Sequence, residues 1–134
     1  MTKIIYTLLF IFLSFNSLTQ KSFQPLKEAD WSFNRIDHQL HYFGSIGLTM
    51  VVAGFSTYKD IDNPNIKNGL KWGGIVGGGV AVGKELIIDN LFNLGAPTYP
   101  DLFYGLAGVA VGLVTVLLIT KFDIWYKNKY YVNR

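Results

Sequence analysis

The stretch Leu102–Thr120 runs for nineteen residues without a single charge, and it fixes what the rest of the chain can be. A run of that length and apolarity is long enough to cross a bilayer as a helix. Two further runs of similar character precede it. Tyr42–Tyr58 is seventeen residues without a charge, about 26 Å as a helix. Trp72–Phe92 is uncharged up to Gly83 and is then interrupted by Lys84, Glu85 and Asp89. The expectation is an all-α, small polytopic membrane protein. Three transmembrane helices, over about 40–58, 71–92 and 101–120, form a membrane domain spanning 37–121.

The flanking segments fit that plan. Residues 1–19 carry Lys3, an apolar core from Ile4 to Leu13 and small residues before Gln20, the pattern of a signal peptide or, if uncleaved, an anchor. Residues 20–36 are polar with Trp31, Phe33 and Ile36 interspersed, which suits either a linker or a short interfacial helix starting after Pro25. Lys59–Lys71 reads as a polar turn and Asn93–Pro100 as a tight loop. Residues 122–134 read as a basic aromatic tail at the membrane interface. Lys59, Lys67 and Lys71 lie in one connecting loop and Lys121, Lys127, Lys129 and Arg134 follow the last run, while the 93–101 loop holds no Lys or Arg; Lys21, Lys27 and Arg35 fall on the other side, in the translocated segment. The positive-inside rule therefore puts the C-terminus in the cytoplasm and the other ends outside, in a bacterial inner membrane.

Alternating spans bring three polar clusters to that outer face: Asp37 to His41, Lys84 to Asp89, and Asp101. Helical spacing continues each into small residues. Gly74, Gly78, Ala81, Glu85 and Asp89 share one face, and Asp101, Gly105, Gly108, Gly112 and Thr115 share another. Asp37, His41, Ser45, Thr49 and Ala53 repeat every four. Small residues let helices pack closely in lipid, so the packed faces should also be the faces that carry charge. The polar-site candidates are Asp37, His41, Lys84, Glu85, Asp89 and Asp101. The helix-packing candidates are Gly74, Gly78, Gly105, Gly108 and Gly112.

The motifs resemble a family. Asp37-His38-Gln39-Leu40-His41-Tyr42, Gly83-Lys84-Glu85 with Asp89, and Asp101 leading into Gly105, Gly108 and Gly112 are similar, in order, to three motifs of the YfiM-like small membrane proteins. They are more distantly similar to motifs of VanZ-like proteins. His38 stands where that family has Lys, and Tyr42 where it has Phe. The resemblance implies a cell-envelope membrane protein and assigns no reaction.

An ionisable group inside a span costs roughly 2.5–3.5 kcal/mol, so a ligand site for a lipid, a cell-wall-related envelope ligand or a proton is the first expectation. The competing expectation is a helix lock, with Lys84 snorkelling or paired to Asp101 and His41 hydrogen-bonded to Glu85. His41, Glu85, Asp89 and Asp101, with His38 or Asp37, have metal-donor chemistry, but no zincin-like pair of histidines at i, i+4 is present. Neither a metal nor a cofactor is assigned. His41 with Glu85 suits acid–base work, yet no nucleophile accompanies them, and packing accounts for Ser45. No enzyme activity is assigned. Gly73–Gly79 also fits a glycine zipper, hence a homo-oligomer or a holin-like pore. A net charge of +3 gathered at run ends suits lipid head groups rather than nucleic acid. With no cysteine, thiolate metal sites, disulfides and lipidation at an N-terminal cysteine are excluded.

Overall fold

The computed structural model describes residues 29–89 and 97–130. The expected signal segment, residues 20–28, the end of the expected second span with the first half of the 93–100 loop (residues 90–96) and the last four residues lie outside the described part. Within it the chain is helical: α1 (Ile36–Thr57), α2 (Ile66–Gly83) continued by a π-helical turn over Lys84–Ile88, and α3 (Tyr99–Tyr130). Each helix packs against both others.

Local chemistry sets the boundaries. Residues 29–35 are not helical. Ser32 N–H is held by Asp30 Oδ1 at 3.0 Å, and Arg35 is extended before α1 begins. Asp37 in the first turn of α1 favours the positive helix end. After Thr57, Asp60 accepts the backbone N–H groups of Asp62 and Asn63, which folds a tight acidic turn. The Asn63 side chain bonds the same carboxylate, and together these bonds hold the Asp60 carboxyl below its ordinary range. Asn65 then caps α2 by accepting Asn68 N–H at 3.0 Å. The turn is therefore shorter than the expected 59–71, and Lys67 and Lys71 belong to the start of α2. At the other end, α3 runs past the expected limit at Thr120 as far as Tyr130. What reads as a separate basic tail is, over the described residues, a continuation of that helix. Its Lys129 lies 5.0 Å from the Trp125 ring.

Residue sizes are distributed inside-out relative to a water-soluble core. Among the described residues the buried apolar set is Ala53, Ala81, Val109 and Val116, and the rest of the interior is glycine, threonine, ionisable groups and, around the start of α3, Pro97 and Pro100. Large apolar side chains point outward on all three helices: Phe55 is 80% exposed, Ile75 53% and Leu118 62%. The helices are close enough that glycine is structural. A Cβ on Gly73 would stand 2.6 Å from Ala53 Cβ, and one on Gly112 would stand 2.9 Å from Thr49 Cβ. On Gly108 it would run into the Tyr42 carbonyl.

The packed face of α2 keeps the expected Ala81, Glu85 and Asp89 but departs from the expected glycines by one residue. Gly69, Gly73, Gly77 and Ala81 are buried, in a strict repeat of four. Gly74 only touches Leu113, at 3.7 Å, and Gly78 has nothing within 4 Å. On α3 the expected Gly105, Gly108 and Gly112 are buried, but Val109, Val116 and Thr120 continue the face in place of Thr115. Thr115 instead bonds its own helix, at Val111 O.

By length and composition one described helix, Tyr99–Tyr130, is long and apolar enough to cross a membrane. The glycine, serine and threonine of α1, and the early lysines and late charges of α2, keep those two helices below the same mark.

Candidate functional site

The start of α1, the end of α2 and the start of α3 meet at one end of the bundle. Four elements of local structure build the site there.

The first is the π-helical turn. In an α-helix, residues five apart stand roughly 140° apart around the axis. Closing i→i+5 bonds instead, as Asp89 N–H does onto Lys84 O, brings Lys84 and Asp89 to the same side. Lys84 Nζ consequently reaches Asp89 Oδ2 at 2.8 Å and Glu85 Oε1 at 2.9 Å.

The second is the cap of α3. Thr98 Oγ1 accepts Asp101 N–H at 3.2 Å and donates to Asp101 Oδ2 at 2.7 Å, a variant of the capping box. The Thr98 backbone N–H donates to Glu85 Oε2 at 3.3 Å, which ties the cap to α2.

The third is α1. His41 Nε2 accepts from Lys84 Nζ at 3.0 Å. It stands 3.6 Å from Glu85 Oε1 and 3.7 Å from Asp101 Oδ1.

The fourth is the 29–35 segment, which folds over the end of the bundle. Tyr104 donates its hydroxyl proton to Trp31 O at 2.6 Å, and the Phe33 ring lies 5.3 Å from that of Tyr104. Beneath this cover His38 is fully buried. Its Nδ1 is 2.6 Å from Ser32 O, and its Nε2 faces Asp101 Oδ1 at 3.5 Å.

Of the six expected residues, five converge: His41, Lys84, Glu85, Asp89 and Asp101. Asp37 sits at the rim, half-exposed and paired with Arg35. That hydrogen bond from Arg35, ahead of the one from His38 N–H, holds the Asp37 carboxyl below its ordinary range. The inward position of α1 belongs to His38 instead. It was legible as the i, i+3 neighbour of His41, since residues three apart share a face as residues four apart do. Thr98 is the other contributor with no sequence prominence; a threonine three residues before an acid is the signal that finds it. The expected lock also differs in its partners. Lys84 pairs with Glu85 and Asp89 rather than Asp101, and His41 bonds Lys84 rather than Glu85.

Glu85 is fully buried, and Asp89 and Asp101 nearly so. The site nevertheless opens sideways. Between α1 and α2 lies a groove of about 410 Å³ lined by Asp37, Leu40, His41, Gly44, Val80 and Lys84, among others. Its walls are apolar and its floor carries the imidazole and the ammonium.

Comparison with family models, with characterised proteins and with solved structures returns no match to this chain. The likeness to YfiM-like proteins therefore rests on the motifs alone.

Proposed function

We propose that this chain is a three-span protein of a bacterial envelope membrane, with the polar cluster at its outer end, and that the lateral groove binds a lipid-like amphipathic ligand. The groove carries the reading: apolar walls run down to His41 and Lys84 and open sideways between two helices. A soluble ligand has no use for such walls, whereas an acyl chain does, with its head group hydrogen-bonded at the floor. The three-span part is supported by the outward-facing Leu40, Phe43, Phe55, Ile75 and Val80 on α1 and α2. α1 falls short because its inner face carries histidine and threonine, and α2 because its inner face is glycine and its first turns carry the exposed Lys67 and Lys71. Membership among YfiM-like proteins is part of the same proposal, on the three ordered motifs.

The test fills the groove without touching the bundle. A Cβ at Gly44 meets nothing within 4 Å, so Gly44→Phe projects a ring into the groove and leaves the helix contacts in place. Native mass spectrometry of the protein purified in mild detergent should show a retained phospholipid on the wild type and none on Gly44→Phe. Equal retention by both would remove the groove from the account.

A second reading is favoured by one observation: Gly78 and Gly79 face open space. That pair offers a second close-packing face for another copy of the chain. In this reading Gly78→Leu breaks oligomers while the three-helix unit survives.

A further inference from the structure

Three carboxylates, Glu85, Asp89 and Asp101, are buried around a single ammonium, Lys84. An ammonium has three N–H donors. Here all three are spent, on His41 Nε2, Glu85 Oε1 and Asp89 Oδ2. Nothing is left for Asp101 Oδ1 or His38 Nε2, and both are buried without a hydrogen-bond partner.

Hydrogen-bond roles sharpen the deficit. A carbonyl only accepts, so Ser32 O at 2.6 Å places the His38 proton on Nδ1. His38 Nε2 then presents a lone pair to Asp101 Oδ1, 3.5 Å away. An ammonium only donates, so His41 Nε2 presents a lone pair as well. With both imidazoles neutral and the three carboxyls ionised, two imidazole lone pairs and two carboxylate oxygens converge, and the cluster carries two negative charges in excess. Unpaired charge in a buried setting is costly. The arrangement of the rings is the one that suits metal ligation: a backbone carbonyl orients an imidazole through one nitrogen and leaves the other free.

We infer that the cluster is a site for one divalent transition-metal ion of the zinc type, held by His41, Glu85 and Asp101, with His38 standing beside Asp101 as the group that supports it. One donor atom each from His41, Glu85 and Asp101 lie within 4.8 Å of one another, and so do those of Asp37, His38 and Asp101. Tetrahedral bonds of about 2.0–2.2 Å set donors roughly 3.3–3.6 Å apart. His41 Nε2 already stands 3.6 Å from Glu85 Oε1 and 3.7 Å from Asp101 Oδ1, so the closure falls on the Glu85–Asp101 edge, by up to about 1.5 Å. Mixed imidazole and carboxylate donors suit zinc and its neighbours over calcium or magnesium. Lys84 is the competitor. Its ammonium occupies the cation position between His41 and Glu85, and on metal entry it keeps Asp89 alone. This goes beyond the groove reading and stands without it, since Glu85, Asp101 and His38 are not part of the groove lining and His41 alone is common to both.

The experiment uses the full chain in detergent, stripped with EDTA, titrated with Zn²⁺ by calorimetry and with Co²⁺ by visible absorption. One Zn²⁺ per chain and a Co²⁺ ligand-field spectrum are expected. His41→Gln and Asp101→Asn should abolish binding, and His38→Gln should weaken it about 10–100-fold, in the range known for groups that support a metal site. Asp37→Asn should bind as the wild type does, because that carboxylate is taken by Arg35. Lys84→Met should bind Zn²⁺ more tightly and regain on metal addition the thermal stability it loses without metal. A helical protein that takes up no stoichiometric Zn²⁺ overturns the inference. Binding that survives His41→Gln combined with Asp101→Asn, or that weakens in Lys84→Met, also overturns it. Lipid retention blocked by Gly44→Phe is scored separately, so either proposal can fail alone.

Discussion

The sharpest consequence of the packing is a contrast between two glycines of α2, Gly73 and Gly78. An alanine Cβ at position 73 would lie 2.6 Å from Ala53 Cβ, 3.0 Å from Leu113 Cδ2 and 3.3 Å from Ala53 Cα. Carbon atoms rest at about 3.5–4.0 Å, so α1 and α2 must part by roughly 1 Å there. A gap of about that size forfeits a quarter to a half of each dispersion contact along the seam, including Gly69 on Thr57 and Gly77 on Thr49. Overpacking of this kind costs about 1–3 kcal/mol, offset in part by the ~0.5–1 kcal/mol that alanine gains over glycine within a helix. Gly73→Ala should therefore destabilise by about 0.5–2 kcal/mol. Gly78→Ala, with open space at its Cβ, collects only the helix gain and should be neutral or stabilising by up to ~1 kcal/mol. Adding Ala53→Gly removes the closest contact, so the double variant Gly73→Ala/Ala53→Gly should recover at least ~1 kcal/mol relative to the sum of the singles. The assay is reversible unfolding by SDS in mixed micelles, followed by far-UV circular dichroism. Equal effects at positions 73 and 78, or additivity in the double variant, would refute the seam.

Three further outcomes follow from the same geometry. Lys84→Met leaves Glu85 and Asp89 buried without their cation. Breaking a buried pair costs about 3–5 kcal/mol, and with the lysine side chain 37% exposed a loss of roughly 2–3 kcal/mol is expected in the same metal-free unfolding assay, against a much smaller loss for Arg35→Met at the rim. Thr49 Oγ1 is buried without a partner, so Thr49→Val should raise stability by about 1 kcal/mol, and a loss of that size would mean the hydroxyl is bonded. The Asp37 carboxyl is held down by Arg35 in the folded chain, so its contribution is complete above its unfolded pKa of about 4 and is lost as pH falls through the lower folded value. Asp37→Asn should flatten that acid limb of a stability–pH profile by lowering the plateau above about pH 5, and the two proteins should converge at acid pH, where the carboxylate is protonated in both states.

The helical class and the meeting of the three polar clusters were legible because both follow from run length and from the parity of the chain's reversals. Which residue of each turn faces inward was less legible. A repeat of four drifts around an α-helix, and several glycine registers coexist in Gly73–Gly79, so Gly74 and Gly78 fit the spacing as well as Gly73 and Gly77 do. Burial separates them only once Ala53 and Thr49 stand opposite. His38 was hidden by the same preference for steps of four. The π-helical turn left no trace in composition, and without it Lys84 and Asp89 fall on different sides of the helix. Thr98 matters through a backbone N–H as much as through its hydroxyl, and no residue pattern displays a backbone donor.

The central claim is that the bundle crosses a membrane three times, with the His–carboxylate–lysine end on the outer side. The absence of cysteine makes it directly measurable, because single cysteines can be introduced at Ser32, in the cover over the cluster, and at Asn63, in the turn at the opposite end. Intact cells are treated with a membrane-impermeant maleimide before and after permeabilisation. Labelling of Ser32→Cys in intact cells, with Asn63→Cys labelled only after permeabilisation, is the predicted result. Labelling of both positions from the same side, or recovery of the chain in the soluble fraction, would contradict it.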